Sequence, residues 1–253
     1  MQERPTQTDF YRLGALATLV GGALAIIFNL VHPRASGALG DAQTELKLVA
    51  GSDIWRLDHV MLGLAVVIIS FGVIALALSM GGGQGDTWVR AWLLFSVLSS
   101  AVLLVLLALD GTAIKSVADE WAASGNDLAS FRAAAVLVEV NGALLGASIA
   151  LSFGISPLLF GMAVFASGTY PARIGQVSIV AGGLGLVTSL WLALAGFASF
   201  PLNILFPLAS LLYTVVLMWA GWLLWKNNAT VGGPANRSTV TPTEDTTVTP
   251  GLL

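Results

Sequence analysis

Apolar residues fall in six long unbroken runs, at about Leu13–Val31, Leu57–Met80, Ala91–Thr112, Ala134–Ala166, Val177–Ala198 and Ile204–Trp225. Neither the two-residue alternation of a half-buried strand nor the one-sided stripe of a soluble helix organises them. About 20 apolar residues cross the hydrocarbon core of a bilayer, so each run predicts a transmembrane helix. The fold class that follows is all-α: a polytopic membrane protein with six transmembrane helices. The first run is longer than the apolar core of a signal peptide and its start is not strongly basic, so it reads as a retained helix.

The polar segments between the runs divide the chain into residues 1–12 as an N-terminus, 13–225 as the helical domain and 226–253 as a tail. The tail is rich in Thr, Pro, Gly, Asn and Ser, a composition that predicts disorder. Asn228-Ala229-Thr230 and Asn236-Arg237-Ser238 match glycosylation sequons, short patterns that recur by chance. Two connections are long, His32 to Arg56 and Ala113 to Ala133, and both fall on one membrane face. Each contains a short helical stretch, Glu45–Ala50 and Lys115–Ala123, closed by Gly51-Ser52-Asp53 or Ser124-Gly125-Asn126-Asp127, so they predict two helical loops capping the bundle.

Small residues recur every four positions as Ala17, Gly21 and Ala25, as Gly142, Gly146, Ala150 and Gly154, and as Ala181, Gly185, Ser189 and Ala193. Helices in lipid associate through close backbone approach, so these stripes predict helix contacts within the chain, with a second copy or with another membrane protein. Pro157 predicts a kink in the fourth run. A shift of 82 positions lays Ser70-Phe71-Gly72 on Ser152-Phe153-Gly154 and His59 on Asn141, a pattern a duplicated hairpin would leave.

The polar exceptions to these runs gather at one end. His32 closes the first run, Asp58 and His59 open the second, Asp110 closes the third and Glu139 stands just inside the fourth. Because helix directions alternate, all reach the same membrane face, and ionisable groups at such depth are costly enough to mark a ligand site, a pathway or a paired structural cluster. Asn29 continues the small stripe toward His32, and Glu139 precedes Gly142 by three, which aims both at protein. Arg56 and Asn141 complete the polar set, with Arg56 expected to pair with Glu139 or Asp110.

Four chemistries fit. His32, His59, Asp110 and Glu139 offer nitrogen and oxygen ligands suited to zinc or another divalent ion, although no local motif such as H-E-x-x-H is present. The two histidines are also the axial-ligand type for a b-type haem. Carboxylates with histidines serve proton or solute coupling, but the first three helices offer little deeper than Thr18, Ser70, Ser96, Ser99 and Ser100 to continue a path. Cross-helix hydrogen bonding alone, such as His32 to Asp58, is the fourth.

Composition narrows the setting. Of 253 residues 56% are hydrophobic and 10% charged, the mean hydropathy is +0.85, and the net charge is −3 with a pI near 5.2. No Lys/Arg block is present, which excludes a nucleic-acid partner. The absence of cysteine excludes disulfides, iron–sulfur clusters and thiolate metal sites. With the N-terminus in the cytoplasm, Arg4, Arg12, Arg90, Arg173, Lys226 and Arg237 lie inside against Arg34, Lys47, Arg56, Lys115 and Arg132 outside, and Arg12, Arg90, Arg173 and Lys226 flank span ends. Both termini are therefore expected inside, with Trp88, Trp92, Trp219, Trp222 and Trp225 as an inner aromatic belt.

Asn29-Leu30-Val31-His32-Pro33 ending one helix and Trp55-Arg56-Leu57-Asp58-His59 opening the next, over residues 13–225, loosely resemble uncharacterised six-span prokaryotic membrane proteins of domain-of-unknown-function families. The resemblance implies a plasma membrane location and no particular activity. The sequence reading is thus a multi-pass membrane protein with an outward His/Asp/Glu cluster and a non-enzymatic ligand-binding or accessory role. A membrane-embedded metal-dependent hydrolase and a small-solute or proton-coupled transporter are the alternatives.

Overall fold

The computed structural model describes residues 7–33, 41–83, 85–195 and 201–231. Among these the chain is all-helical, and six helices are long and apolar enough to cross a membrane. The protein is accordingly a multi-pass membrane protein, with the bilayer as the solvent for its outer surface. Leu30, Leu94, Leu190 and Leu194, on three of the spans, face outward, as lipid rather than water requires.

The first span is α1 (Gln7–Val31), and the second is α3 (Trp55–Met80), with α2 (Ala42–Ala50) between them. The third runs unbroken over Asp86–Ala123: α4 (Asp86–Ala108) passes through a π-helical segment, Leu109–Ile114, into α5 (Lys115–Ala123). The fourth likewise covers Leu128–Ser167, as α6 (Leu128–Ser148), a π-helical segment over Ile149–Ile155, and α7 (Ser156–Ser167). The last two are α8 (Ala172–Ala195) and α9 (Phe206–Val231), the latter entered through a π-helical turn at Pro201–Leu205.

Several boundaries differ from the sequence reading for identifiable reasons. Lys115–Ala123 is helical as expected, but it continues the third span instead of forming a separate loop helix. Leu109–Ile114 contains no proline to stop the helix, and the extra residue per turn is absorbed as a π bulge. The expected kink at Pro157 is realised as the π segment just before it, which accommodates the missing amide. Helix α9 runs to Val231, past the expected tail boundary at 226; residues 232–253 lie outside the described residues.

Packing is closest where glycines face neighbours. Gly14 lies against Ala75, and Gly72 against Thr18 and the Gly14 carbonyl, which seats α1 along α3. Gly221 places α9 on Thr18 from the other side. The π segment and α7 cross α8 through Gly154, Gly161, Gly182 and Gly185, whose absent side chains leave room for backbone. The aligned Gly72 and Gly154 thus pack differently, one on the preceding span and the other on α8.

Not all of the expected stripe closes. Near Gly142 and Gly146 a groove of about 410 Å³ separates α6 from α8, bridged by the Ser189 hydroxyl donating to the Gly146 carbonyl at 3.1 Å. The expected aromatic belt also loses Trp92, which is fully buried against Phe160 with ring centroids 4.4 Å apart, whereas Trp88, Trp219, Trp222 and Trp225 are exposed.

A second, smaller core covers the cluster end. Leu46 and Val49 of α2, Trp55 of α3, Ile114, Ala118 and Trp121 around α5, and Ala134 and Val138 of α6 are all buried together. This is the cap expected from the two long connections. Asp41 starts α2 by accepting from the Gln43 amide, and Asp127 starts α6 by accepting from the Ala129 and Ser130 amides. The Thr44 hydroxyl, followed by the Gln43 amide, holds the Asp41 carboxyl below the usual carboxylate range, and the Ser130 hydroxyl, followed by Ser124 and the Ser130 amide, does the same for Asp127.

Candidate functional site

The end of α1, the start of α3 and the π segment after α4 converge beneath this cap. Helix α1 stops ahead of Pro33, which leaves His32 just beyond its last turn and half-buried. Asp58 and His59 lie in the first turns of α3, at 1% and 3% side-chain exposure. The His32 Nδ1–H donates to Asp58 Oδ2 at 2.6 Å, and the His59 Nδ1–H donates to the Trp55 carbonyl at 2.8 Å. His59 Nε2 then lies 3.3 Å from Asp110 Oδ2.

Two features hold Asp110 there. Gly111 sits where a β-carbon would collide with the His59 ring, so the π segment can approach α3 only with glycine at that position. The Trp55 indole N–H donates to the Asp110 carbonyl at 3.0 Å. Trp55 also lies against both imidazoles, at centroid distances of 5.3 Å to His32 and 4.8 Å to His59, and the imidazoles are 5.2 Å apart. A π bulge of this kind re-aims side chains within an otherwise regular helix.

His32, Asp58 and His59 each present one donor atom within 4.8 Å of the others. Asp58 Oδ1 and Asp110 Oδ1 are buried with no hydrogen-bond partner. The cluster therefore carries unused acceptor capacity in a low-dielectric setting, where unpaired polar atoms are costly.

The remaining nominated residues lie apart from this centre. Asn29 is on the approach, with its amide donating to the Ala25 carbonyl at 2.8 Å. Arg56 pairs with Asp119 at 3.7 Å and donates to Ser116 Oγ at 3.3 Å, not with Glu139 or Asp110 as expected, because α5 continues the third span past it. Asn141 is buried on α6 with its side-chain oxygen unpartnered. Glu139 is exposed and lines the α6–α8 groove with Gly142 and Ser189, so its expected place inside the bundle, beside the first three helix ends, is not where the fold puts it. The divergence of α6 from α8 turns that face outward.

Below the cluster, a cavity of about 220 Å³ runs between α1, α3, α4, the second π segment and α9. His32, His59, Asn29 and Asp110 line one end, Leu62, Val66, Leu103 and Leu107 the middle, and Ser96, Ser156 and Tyr213 the deep end. The hydroxyls there are connected: Ser96 to Ser156 at 2.8 Å, Ser156 to Tyr213 at 3.0 Å, with the Trp92 indole donating to Tyr213 at 3.1 Å. Beyond them Trp92, Phe160 and Leu217 belong to the main apolar core.

Sequence reasoning named Ser96 but missed the rest of the deep wall and one carboxylate. Tyr213, a hydroxyl in the middle of an apolar run, and Ser156 beside Pro157 were the readable signals for the former. Glu45 on α2 is half-buried close enough to Asp110 and Glu139 to feel both charges. It stands four residues before buried Val49, which sets it on the inward side of α2. No protein family, curated protein or solved structure matches this chain.

Proposed function

We propose that the protein is a non-enzymatic ligand-binding protein of the plasma membrane, taking a small, largely apolar molecule into its cavity with the polar end at His59 and Asp110. The observation that carries this reading is the cavity itself, polar at both ends and lined by Leu and Val between, with the buried His/Asp cluster at one end. Binding sites of this kind are mostly apolar with a few placed polar groups. The volume is below the roughly 300–1,000 Å³ usual for drug-sized ligands, which points to a small metabolite or a short amphiphile rather than a whole phospholipid. Trp92 and Phe160 beyond the hydroxyls favour a blind site over a transport path.

The cluster faces the exterior in this reading, because Arg12, Arg90, Arg173 and Lys226 stand near the opposite ends of the spans. The test uses 1-aminoanthracene, an apolar fluorescent probe, with the purified chain in nanodiscs. Saturable binding of one probe per chain is expected, and Leu103→Trp should abolish it by filling the cavity without lowering the unfolding temperature. Probe binding that does not saturate, or that survives both Leu103→Trp and Val66→Phe, overturns the reading.

A further inference from the structure

We infer that His32, Asp58 and His59 form a binding site for a divalent transition-metal ion such as zinc, with Asp110 bracing His59 from behind. The three side chains are the two-histidine, one-carboxylate set that binds such ions while leaving coordination positions open. Asp58 Oδ2 is the centre of the arrangement, 2.6 Å from His32 Nδ1 and 3.7 Å from His59 Nδ1. Metal bonds of about 2.0–2.2 Å place neighbouring tetrahedral ligands roughly 3.3 Å apart. The two His–Asp58 separations bracket that value, and the third, between the two imidazole nitrogens, lies within 4.8 Å, so binding requires ring rotations that draw the imidazoles together by up to about 1.5 Å.

The proton accounting is consistent. An ion at His32 Nδ1 replaces the proton now shared with Asp58, and that ring keeps one proton on Nε2. His59 turns Nδ1 from the Trp55 carbonyl to the ion and carries its proton on Nε2. Asp110 Oδ2, 3.3 Å away, is already placed to accept it. This is the carboxylate–histidine–metal relay that fixes ligand tautomers in metal sites. The Trp55 carbonyl is not orphaned, because within α3 it also faces the His59 backbone amide four residues on.

A second observation points to a ligand independently of the donor geometry. Asp58 is 1% exposed and its Oδ1 has no hydrogen-bond partner, and Asp110 Oδ1 is in the same condition. Buried carboxylates call for paired charge and filled lone pairs, and a divalent ion supplies both. Since His32 and His59 also line the cavity, an open coordination position there would meet the polar end of a bound molecule. The inference does not require that molecule, because the metal ligands are complete without it.

The experiment takes the full-length chain carrying no polyhistidine tag, strips it with chelator in detergent and titrates it with Co²⁺ and Zn²⁺. One equivalent per chain is expected, with Co²⁺ giving the visible absorption of a tetrahedral or five-coordinate ion. His32→Gln and His59→Gln should weaken binding by more than about 100-fold, and Asp110→Asn by about 10–100-fold, the range for groups that orient a ligand. Glu139→Gln, in the α6–α8 groove, should change nothing. Melting of each variant without metal separates loss of ligand from loss of fold, and a metal-induced rise in melting temperature should appear in wild type and vanish in His32→Gln. Absence of stoichiometric Co²⁺ and Zn²⁺ in wild type, or retention of wild-type affinity in both histidine variants, overturns the site. Leu103→Trp, which blocks the cavity, should leave metal content intact, so failure of the ligand reading and failure of the metal site give different results.

Discussion

Burial on the inner side of α2, and then the nearby Asp110 and Glu139 carboxylates, push the Glu45 carboxyl up to about 7. An acid whose folded pKa exceeds its unfolded value binds its proton more tightly when folded. Its stabilising contribution is complete below about pH 4.5 and is lost as pH rises toward 7. The wild-type melting temperature should therefore fall between pH 5 and pH 8. Glu45→Gln should flatten that profile and stabilise the fold at pH 8 by about 1–2 kcal/mol, a figure reduced for the partial solvent screening of a half-buried group. A profile unchanged by the substitution would show that Glu45 is not held in this environment. At this scale legibility followed chain geometry. His32, Asp58 and His59 were readable because helix ends fix their depth and face. Glu139 was not, because its direction depends on how far α6 and α8 diverge, which spacing alone does not encode. Glu45 was missed because a nine-residue capping helix gives no membrane depth from which its burial follows.

The crossing of α8 with the second π segment and α7 is the tightest backbone approach among the helices carrying the small-residue stripes. A β-carbon at Gly185 would fall on the Phe153 carbonyl, and one at Gly182 on the Gly154 carbonyl, neither of which can move like a side chain. Nothing lies within 4 Å of the β-carbon position of Gly183, one residue along. Gly185→Ala should thus cost about 1–3 kcal/mol, as overpacking does. Gly183→Ala should change stability by less than about 1 kcal/mol, the scale of helix propensity. Denaturant unfolding in mixed micelles compares the two, and equal effects would rule out the close crossing. Six spans were legible because twenty-residue apolar runs have no other solvent. The Gly154 and Gly185 stripes pointed to this contact, whereas the Gly142 and Gly146 end opens into the groove. The π segments were invisible: a one-residue slip in backbone hydrogen bonding leaves no compositional mark, although it places Asp110 beside His59 and seats the helix ahead of Pro157.

Across the whole molecule, an even number of spans places both ends of the helical domain on one side and the α2–α5 cap on the other. The chain has no native cysteine, so single cysteines report topology without background. Asp53 and Ala123 are exposed at the cap, and Gly83 and Thr169 are exposed at the opposite turns. A membrane-impermeant maleimide applied to intact cells should label Asp53→Cys and Ala123→Cys, while Gly83→Cys and Thr169→Cys should react only after permeabilisation. The reverse pattern would turn the protein over and break the orientation drawn from Arg12, Arg90, Arg173 and Lys226. A split within either pair would break the six-span topology. The result also decides how the site is filled. With the cap outside, ions or small molecules reach His32 and His59 from the external solution, and the Trp92, Phe160 and Leu217 core beneath the cavity stands between that site and the cytoplasm. With the cap inside, the same cluster would sample cytoplasmic metal, and the core would insulate it from the exterior.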